Sequence, residues 1–245
     1  MNCETINPYG ESDSRHKSEQ VRAMFDNIAP AYDFMNRAMS FGIDKLWRKK
    51  AVSIIKRHGG KNMLDVATGT GDLAINMGKS MPDARITGID LSEKMIGCGL
   101  AKIRSAKLDD RIQLMQADCL DLPFDDDSFD VITVAYGVRN FEKLQQGYNE
   151  MARVMKPGGM LVVIELSTPT SRWVLPFYKL YTRHIIPMVG RIVSKDVRAY
   201  TYLPESIAAV PQGHAMLSLM EKAGFKQTRH LPLTFGTCTI YIGIK

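Results

Sequence analysis

Several absences narrow what this chain is. No uninterrupted apolar run reaches the roughly 18 to 20 residues that a membrane-spanning helix requires, and the polar opening MNCETINPYGESDSRHKSEQ lacks the apolar core of a secretory signal. A cytoplasmic protein is expected. Cysteine is scarce: Cys3, Cys98, Cys119 and Cys238 are scattered with no CxxC spacing, so no zinc site, redox pair or disulfide framework is indicated, and all four read as free thiols. The five histidines, His16, His58, His184, His214 and His230, stand without Asp or Cys at ligand spacing, and no metal site is expected. Internal repeats and low-complexity tracts are missing. Acidic residues are the minority charge, 26 against 32 basic, leaving a formal net charge of +6 and a pI near 9.1. That balance suits nucleic acid or an anionic membrane surface, yet most of the Lys and Arg are spread through 37–57, 94–107 and 179–198 as on solvated helix faces.

What remains is a chain of 245 residues, 45% hydrophobic, long enough for one α/β domain with a full core and cramped for two. From Asn62 the sequence alternates: NMLDVA, DLAINMGKSM, ARITGIDL, SEKMIGCGLAKIRSA and RIQLMQA give strand, helix, strand, helix, strand. A second half follows with FDVITVAY as strand, EKLQQGYNEMARVM as helix, a KPGG turn at Lys156 to Gly159, and GMLVVIEL as strand. The rhythm then breaks. Residues 168–210 are aromatic, apolar and basic, divided by Pro169, Pro176, Pro187 and Pro204, which predicts a helical cap inserted over the carboxyl edge of the sheet. A last helix through Met216 to Ala223 precedes FKQTRHLPL and TFGTCTIYIGIK, a closing antiparallel pair. Residues 21–60 read as N-terminal helices folding against the same edge as the cap, within one domain over 21–245, and residues 1–20 as a mobile tail.

The stretch LDVATGTGDLAI, Leu64 to Ile75, is a glycine turn between a buried strand and a helix, where helix-start amides face a ligand. Such a turn serves dinucleotides and S-adenosylmethionine alike. Asp90, at the end of the next strand about 20 residues on, is placed to accept from ribose hydroxyls, although Asp90 or Ser92 could equally cap the following helix. Three features move the choice away from dinucleotides. Ala67 stands where the first fingerprint glycine would be. The Asp72 carboxylate, directly after Gly71, would repel a pyrophosphate and attract a sulfonium cation. Asp118 and Cys119, past the third strand, offer a side chain to accept from an adenine amino group and a backbone N–H for its ring, with an ordinary turn as the other reading of Asp118.

These residues resemble the UbiE/COQ5 family of class I methyltransferases, which methylate a ring carbon of menaquinone and ubiquinone precursors. The likeness runs from Ala23 to the end of the chain. FDNIAPAYDFMN at Phe25 to Asn36, LDVATGTGD at Leu64 to Asp72, GIDLSEKM at Gly88 to Met95, LPFDDDSFD at Leu122 to Asp130, YGVRN at Tyr136 to Asn140 and KPGG carry it. LDVATGTGD and LPFDDDSFD mark only the class I fold, whereas APAYDFMN with GVRN is narrower. The resemblance implies a Rossmann-like, doubly wound and mostly parallel seven-stranded sheet with an antiparallel C-terminal strand and a helical substrate cap. It implies S-adenosyl-L-methionine as cofactor, bound by the loop with Thr68, Gly69 and Gly71 and by Asp90, Asp118 and the Cys119 backbone. Ala135 departs from relatives that have a serine there, so no side-chain hydroxyl is available at that contact.

An aromatic carbon accepts methyl only when a neighbouring hydroxyl pushes electrons into the ring, so the substrate is expected as the reduced, prenylated quinol. Arg139 and Asn140 follow the fourth strand, where this fold places substrate contacts. Arg139 is expected to stabilise phenolate charge and Asn140 to fix geometry, with water carrying the proton, since Arg is a poor base; a structural Arg paired with Glu or Asp at the sheet edge is the alternative. Tyr32, Asp33, Asn36, Tyr200 and Tyr202 are candidate substrate contacts, although YDFMN also reads as a helix start with Phe34 and Met35 packed inward. The ring is left open between demethylmenaquinol and a methoxybenzoquinol, with demethylmenaquinol favoured by general likeness to bacterial versions. A basic, apolar cap predicts transient contact with the membrane surface, which makes a peripheral location at the inner face of the cell membrane the expectation, and a homodimer interface is the other use of those apolar residues. Nucleic acid is not an expected partner, because AYGVRN has neither the Pro-Pro motif of adenine N-methylation nor the Pro-Cys nucleophile of cytosine C5 methylation. An inactive quinone-binding module is the non-enzymatic rival, opposed by the intact Asp90, Asp118 and loop glycines.

Overall fold

Seven strands, β1 (Asn62–Val66), β2 (Arg85–Asp90), β3 (Ile112–Gln116), β4 (Phe129–Ala135), β5 (Met155–Leu166), β6 (Lys226–Leu233) and β7 (Cys238–Ile244), form one sheet in the order β3-β2-β1-β4-β5-β7-β6. The computed structural model describes residues 3–185 and 197–245. β1 to β5 pair in parallel, and β7 runs antiparallel to both β5 and β6. The doubly wound expectation holds, with the antiparallel strand wedged between its last two neighbours. The strand order reverses between β1 and β4, and it is outside the carboxyl ends of these strands that a ligand crevice opens.

The central strands are apolar because both faces are covered. On one face Leu64, Val66, Ile132, Val134, Leu161 and Val163 pack under α6 (Leu144–Val154) and α9 (His214–Lys222), through Tyr148, Met151, Met216 and Met220. On the other, Met63, Val131, Val162 and Ile86 meet α3 (Asp44–His58) and α4 (Asp72–Ser80), through Trp47, Ile55, Leu73 and Met77. A third cluster sits over the carboxyl edge. There α1 (Lys17–Ile28) and α2 (Tyr32–Ser40) meet α5 (Glu93–Ser105) and α8 (Val197–Ala209) through Met24, Ile28, Met35, Met95, Ala199 and Tyr202.

The N-terminal helices therefore divide. α1 and α2 lie on the cap side, whereas α3 lies on the sheet face because its apolar stripe, Trp47, Ala51, Ile54 and Ile55, is buried there. Within residues 3–20 the chain is anchored to the body of the fold. Cys3 is wholly buried, Leu144 N–H donates to the Glu4 carboxylate at 2.7 Å, and the nearly buried Lys17 ammonium donates to the Cys3 carbonyl at 2.5 Å. Buried polar groups with partners hold this segment down, a feature its polar composition hides. The KPGG segment also differs from the expected turn. α6 passes directly into β5 at Met155, and Lys156 to Gly159 form an irregular first stretch of that strand, with Gly158 at φ 78° donating its N–H to Lys245. Of the cap, α7 (Leu175–Leu180), the π-helical turn Tyr181–Ile185 and α8 are seen; Pro187 and Arg191 lie outside the described residues.

Candidate active site

β1 and β4 are each followed directly by a residue with left-handed backbone, Ala67 at φ 52° and Tyr136 at φ 60°. The Thr68 N–H donates to the Ile89 carbonyl at 2.8 Å, and Gly69 and Gly71, at φ 55° and 77°, turn the chain into α4. Asp90 fixes the loop from β2: its carboxylate accepts the Gly69 N–H at 2.8 Å and the Ser92 N–H at 2.9 Å. Burial pushes its pKa up to about 6 although these amides oppose the shift. Ser92, not Asp90, caps α5 through Met95 N–H. Two residues past β3, Asp118 accepts from Leu120 N–H at 2.9 Å, the contact of the turn reading.

A cleft of about 720 Å³ opens here, lined by Gly69, Asp90, Asp118, Cys119 and Asn140, with Phe25 of α1 and Tyr32 closing it from above. The Phe25 and Tyr32 rings meet edge to face, centroids 5.9 Å apart. Two expected contacts do not reach it. Thr68 turns inward, its hydroxyl donating to Asp65 at 2.7 Å, and Asp65 also accepts from Thr133 at 2.6 Å; a buried carboxylate at the strand end takes the hydroxyl. Gly71 faces α5, where a Cβ would lie 3.9 Å from the Gly99 Cα. The Asp72 carboxylate, expected to attract a sulfonium, is held by the Lys102 ammonium at 2.5 Å and the Arg48 guanidinium at 3.2 Å. Arg48 also pairs with Asp44.

A second cavity of about 980 Å³ adjoins the first. Its walls are apolar and aromatic, including Met39, Phe41, Trp47, Tyr178, Tyr181 and Leu203, and Tyr32 and Tyr136 line both spaces. Asn36, a candidate substrate contact, lines this cavity. Asp33 faces away: it accepts from Thr70 and from Lys102, each at 2.5 Å, because α2 buries Met35 while Phe34 on the same turn is 62% exposed. The turn Val138–Asn140 sends its two polar side chains to different cavities, Arg139 to the second and Asn140 to the first. Arg139 Nη1 donates to Glu165 Oε1 at 2.7 Å and to the Tyr136 carbonyl. The sheet-edge ion pair named as the alternative for Arg139 is present, and the residue also lines the second cavity. The Tyr202 hydroxyl donates to Asn140 Oδ1 at 3.0 Å and is buried, so this residue braces Asn140 and lines neither cavity. The side chains of Tyr200, Arg183 and His184 lie outside the described residues.

Three residues escaped the sequence reading. Glu165 was legible as a lone charge inside the apolar run VVIEL. Tyr136 and Lys17 carried no such signal. The Lys17 ammonium reaches the Arg139 and Phe141 carbonyls at 3.4 and 3.3 Å, contacts across more than 120 residues.

The sequence profile of the ubiE/COQ5 methyltransferase family matches residues 13–245. The chain belongs to the UbiE/COQ5 methyltransferase family. Relatives in it include a protein named demethylmenaquinone methyltransferase from Porphyromonas gingivalis, 47% identical over 243 residues, which span 99% of this chain and 98% of the relative. Another, from Geobacter sulfurreducens, is named ubiquinone/menaquinone biosynthesis C-methyltransferase UbiE and is 44% identical over 94% of this chain and 90% of its own. Among solved structures, a SAM-dependent methyltransferase from Aquifex aeolicus superimposes with a TM-score of 0.58 at 18% identity, covering 79% of this chain and 88% of that one. The [4+2]-cyclase SpnF gives 0.67 at 18% identity over 93% and 96%. At such identities the structures speak for the fold alone. Membership in the UbiE/COQ5 family makes this chain a methyltransferase and implies S-adenosylmethionine as methyl donor. The first cleft has the donor set for that group: an anchored carboxylate at the end of β2, a second acid at β3, and a glycine where a Cβ would stand 3.8 Å from the Tyr32 ring.

Proposed function

We propose that this family member methylates a ring carbon of a prenylated quinol, converting demethylmenaquinol to menaquinol. The observation that carries the reading is the apolar, aromatic cavity that shares Tyr32 and Tyr136 with the cofactor cleft. The names of the Porphyromonas gingivalis and Bacteroides fragilis relatives, 47% and 45% identical, favour the naphthoquinol over a methoxybenzoquinol.

S-adenosylmethionine, when bound, supplies a methyl group activated by its sulfonium. Asp90 would accept from the ribose hydroxyls, Asp118 and the Cys119 N–H would hold the adenine, and Gly69 would let the donor approach the loop. Tyr32, which lines both cavities, and Phe25, which lines the first, would shield the reacting atoms from water. Transfer is an in-line displacement, so positioning the nucleophilic carbon about 3 to 3.5 Å from the methyl supplies much of the rate. Arg139, always protonated, stabilises the negative charge growing on the quinol oxygen. Asn140, held by Tyr202, fixes the geometry at the cofactor side, and a water carries away the ring proton.

A prenyl tail dwells in the bilayer. Among the described residues no helix is long and apolar enough to cross a membrane, and a surface attachment fits the exposed side chains: Phe41, Trp173, Phe177 and Phe235 are each more than 70% exposed, with Arg172 and Lys179 beside them in sequence. Phe41 and Tyr181, ring centroids 5.9 Å apart, both line the second cavity, so its wall ends in an exposed aromatic side chain. The test of the activity is incubation with labelled S-adenosylmethionine and each reduced quinol in turn, followed by mass analysis. Label transferred to demethylmenaquinol is expected. Label found only on the methoxybenzoquinol reassigns the ring, and label on neither overturns the reading.

A further inference from the structure

Among the described residues, four buried side-chain polar atoms have no hydrogen-bond partner: Arg48 Nε, Tyr136 Oη, Arg139 Nε and Gln145 Oε1. Three of the four gather at one place. Tyr136 and Arg139 line the second cavity, and the Arg48 guanidinium lies over the Tyr136 ring, 5.9 Å from its centroid. Native proteins rarely leave such groups unsatisfied, and a cluster of them around one cavity marks a place where a ligand completes the bonding. Tyr136 is also a large aromatic held at φ 60°, a conformation that persists only when its surroundings enforce it. Here they do: its N–H donates to the Ile164 carbonyl at 2.7 Å, and its carbonyl accepts from Arg139 and from Asn140. The same turn therefore aims the phenol of Tyr136 and the guanidinium of Arg139 from one short piece of chain.

Resting on the quinol reading of the second cavity, we propose that the Tyr136 hydroxyl donates a hydrogen bond to the ring oxygen of the substrate that Arg139 does not serve. Tyr136 is thereby the residue that selects a ring with two oxygens in para positions. Burial pushes the Tyr136 pKa well above the ordinary phenol value, so the group remains a donor throughout the working range. Tyr32, Asn36, Tyr178 and Tyr181 also line this cavity, and Tyr136 is set apart from them by a buried hydroxyl with no partner among the described residues.

The experiment is a ligand-deletion cycle under reducing conditions, with the full-length protein saturated in S-adenosylhomocysteine. Wild type and Tyr136→Phe are titrated with 1,4-naphthalenediol and with 1-naphthol, which lacks one oxygen. Wild type is expected to prefer the diol by about 5- to 10-fold, as for one buried neutral hydrogen bond, and Tyr136→Phe to bind both rings alike. Thermal midpoint and cofactor affinity should stay where they are, which a purely structural role would not allow. Retained preference for the diol in Tyr136→Phe overturns the assignment of Tyr136, as does equal binding of the two rings by wild type. Wild type that binds neither ring overturns the cavity reading itself, and the inference with it.

Discussion

The Arg139 guanidinium and the Glu165 carboxylate, 2.7 Å apart and both almost wholly buried, form the ion pair that ties the Val138–Asn140 turn to the end of β5. Removing one partner strands the other charge. Arg139→Ala is expected to lower turnover by about 10²- to 10³-fold and to cost about 3–5 kcal/mol of stability. Adding Glu165→Gln should return much of the stability and none of the turnover, as read by urea unfolding beside steady-state rates. Recovery of both together would make Arg139 structural only. Arg139→Lys should recover part of the rate, since an ammonium lacks the planar fork.

Asp90 predicts a pH dependence of cofactor binding. Its carboxyl, at about 6 when folded, is raised from 3.8 by burial. Protonation removes the acceptor for the ribose, so affinity for S-adenosylmethionine should fall by up to about tenfold per unit below pH 6. The effect on stability has the opposite sign: the protonated form is favoured in the folded chain, and the stability Asp90 adds below pH 3.8 is lost as pH rises through 6. Calorimetric titration between pH 5 and 8 checks the binding. A flat profile would remove Asp90 from the cofactor site.

Lys17 works the other way in alkali. Burial first, opposed by the nearby Cys3 and Glu4, brings its ammonium down to about 8 from 10.5. The unfolded chain therefore holds a proton that the folded chain has shed between these values, and stability from this group rises with pH across that window. Lys17→Met should flatten the rise in urea unfolding curves. It should also slow turnover, because the ammonium grips the Arg139 and Phe141 carbonyls.

Lys102 bridges Asp33 of α2 and Asp72 of α4, and so fastens the helix that carries Tyr32 to the cofactor loop. Lys102→Met is expected to weaken S-adenosylmethionine binding about 3- to 10-fold, with a smaller loss in thermal midpoint. The pair is partly exposed, so a double-mutant cycle with Asp33→Asn should give a coupling of only about 0.5–1 kcal/mol. Zero coupling would mean that α2 is held by Met35 and its apolar neighbours alone.

Attachment to vesicles should depend on the exposed aromatic side chains. Trp173→Ser with Phe177→Ser is expected to reduce co-sedimentation with anionic vesicles several-fold, and added salt should weaken what remains. Binding that ignores both lipid charge and these substitutions, with a dimer seen by sedimentation velocity, would assign the patch to a second copy of the chain.

Local pattern determined much of this protein. The alternation of apolar strand runs with helical segments, the glycine turn and the acid at the end of β2 announced a doubly wound sheet and the place of its ligand, because strand, turn and helix start are read from adjacent residues. APAYDFMN and YGVRN pointed to the reaction. Only the tertiary structure decided which polar side chain faces which space. Thr68, Asp72 and Asp33 stand in the expected segments, yet each is claimed by a buried or charged partner 3 to 69 residues away, Asp65, Lys102 and Arg48. Tyr202, expected at the substrate, braces Asn140 across 62 residues. A side chain's direction follows from desolvation and partner geometry summed over the whole fold, and for that reason the orphan hydroxyl of Tyr136, two cavities sharing one wall, and the buried Lys17 beneath the Val138–Asn140 turn are properties of the packed molecule that no local stretch of sequence contains.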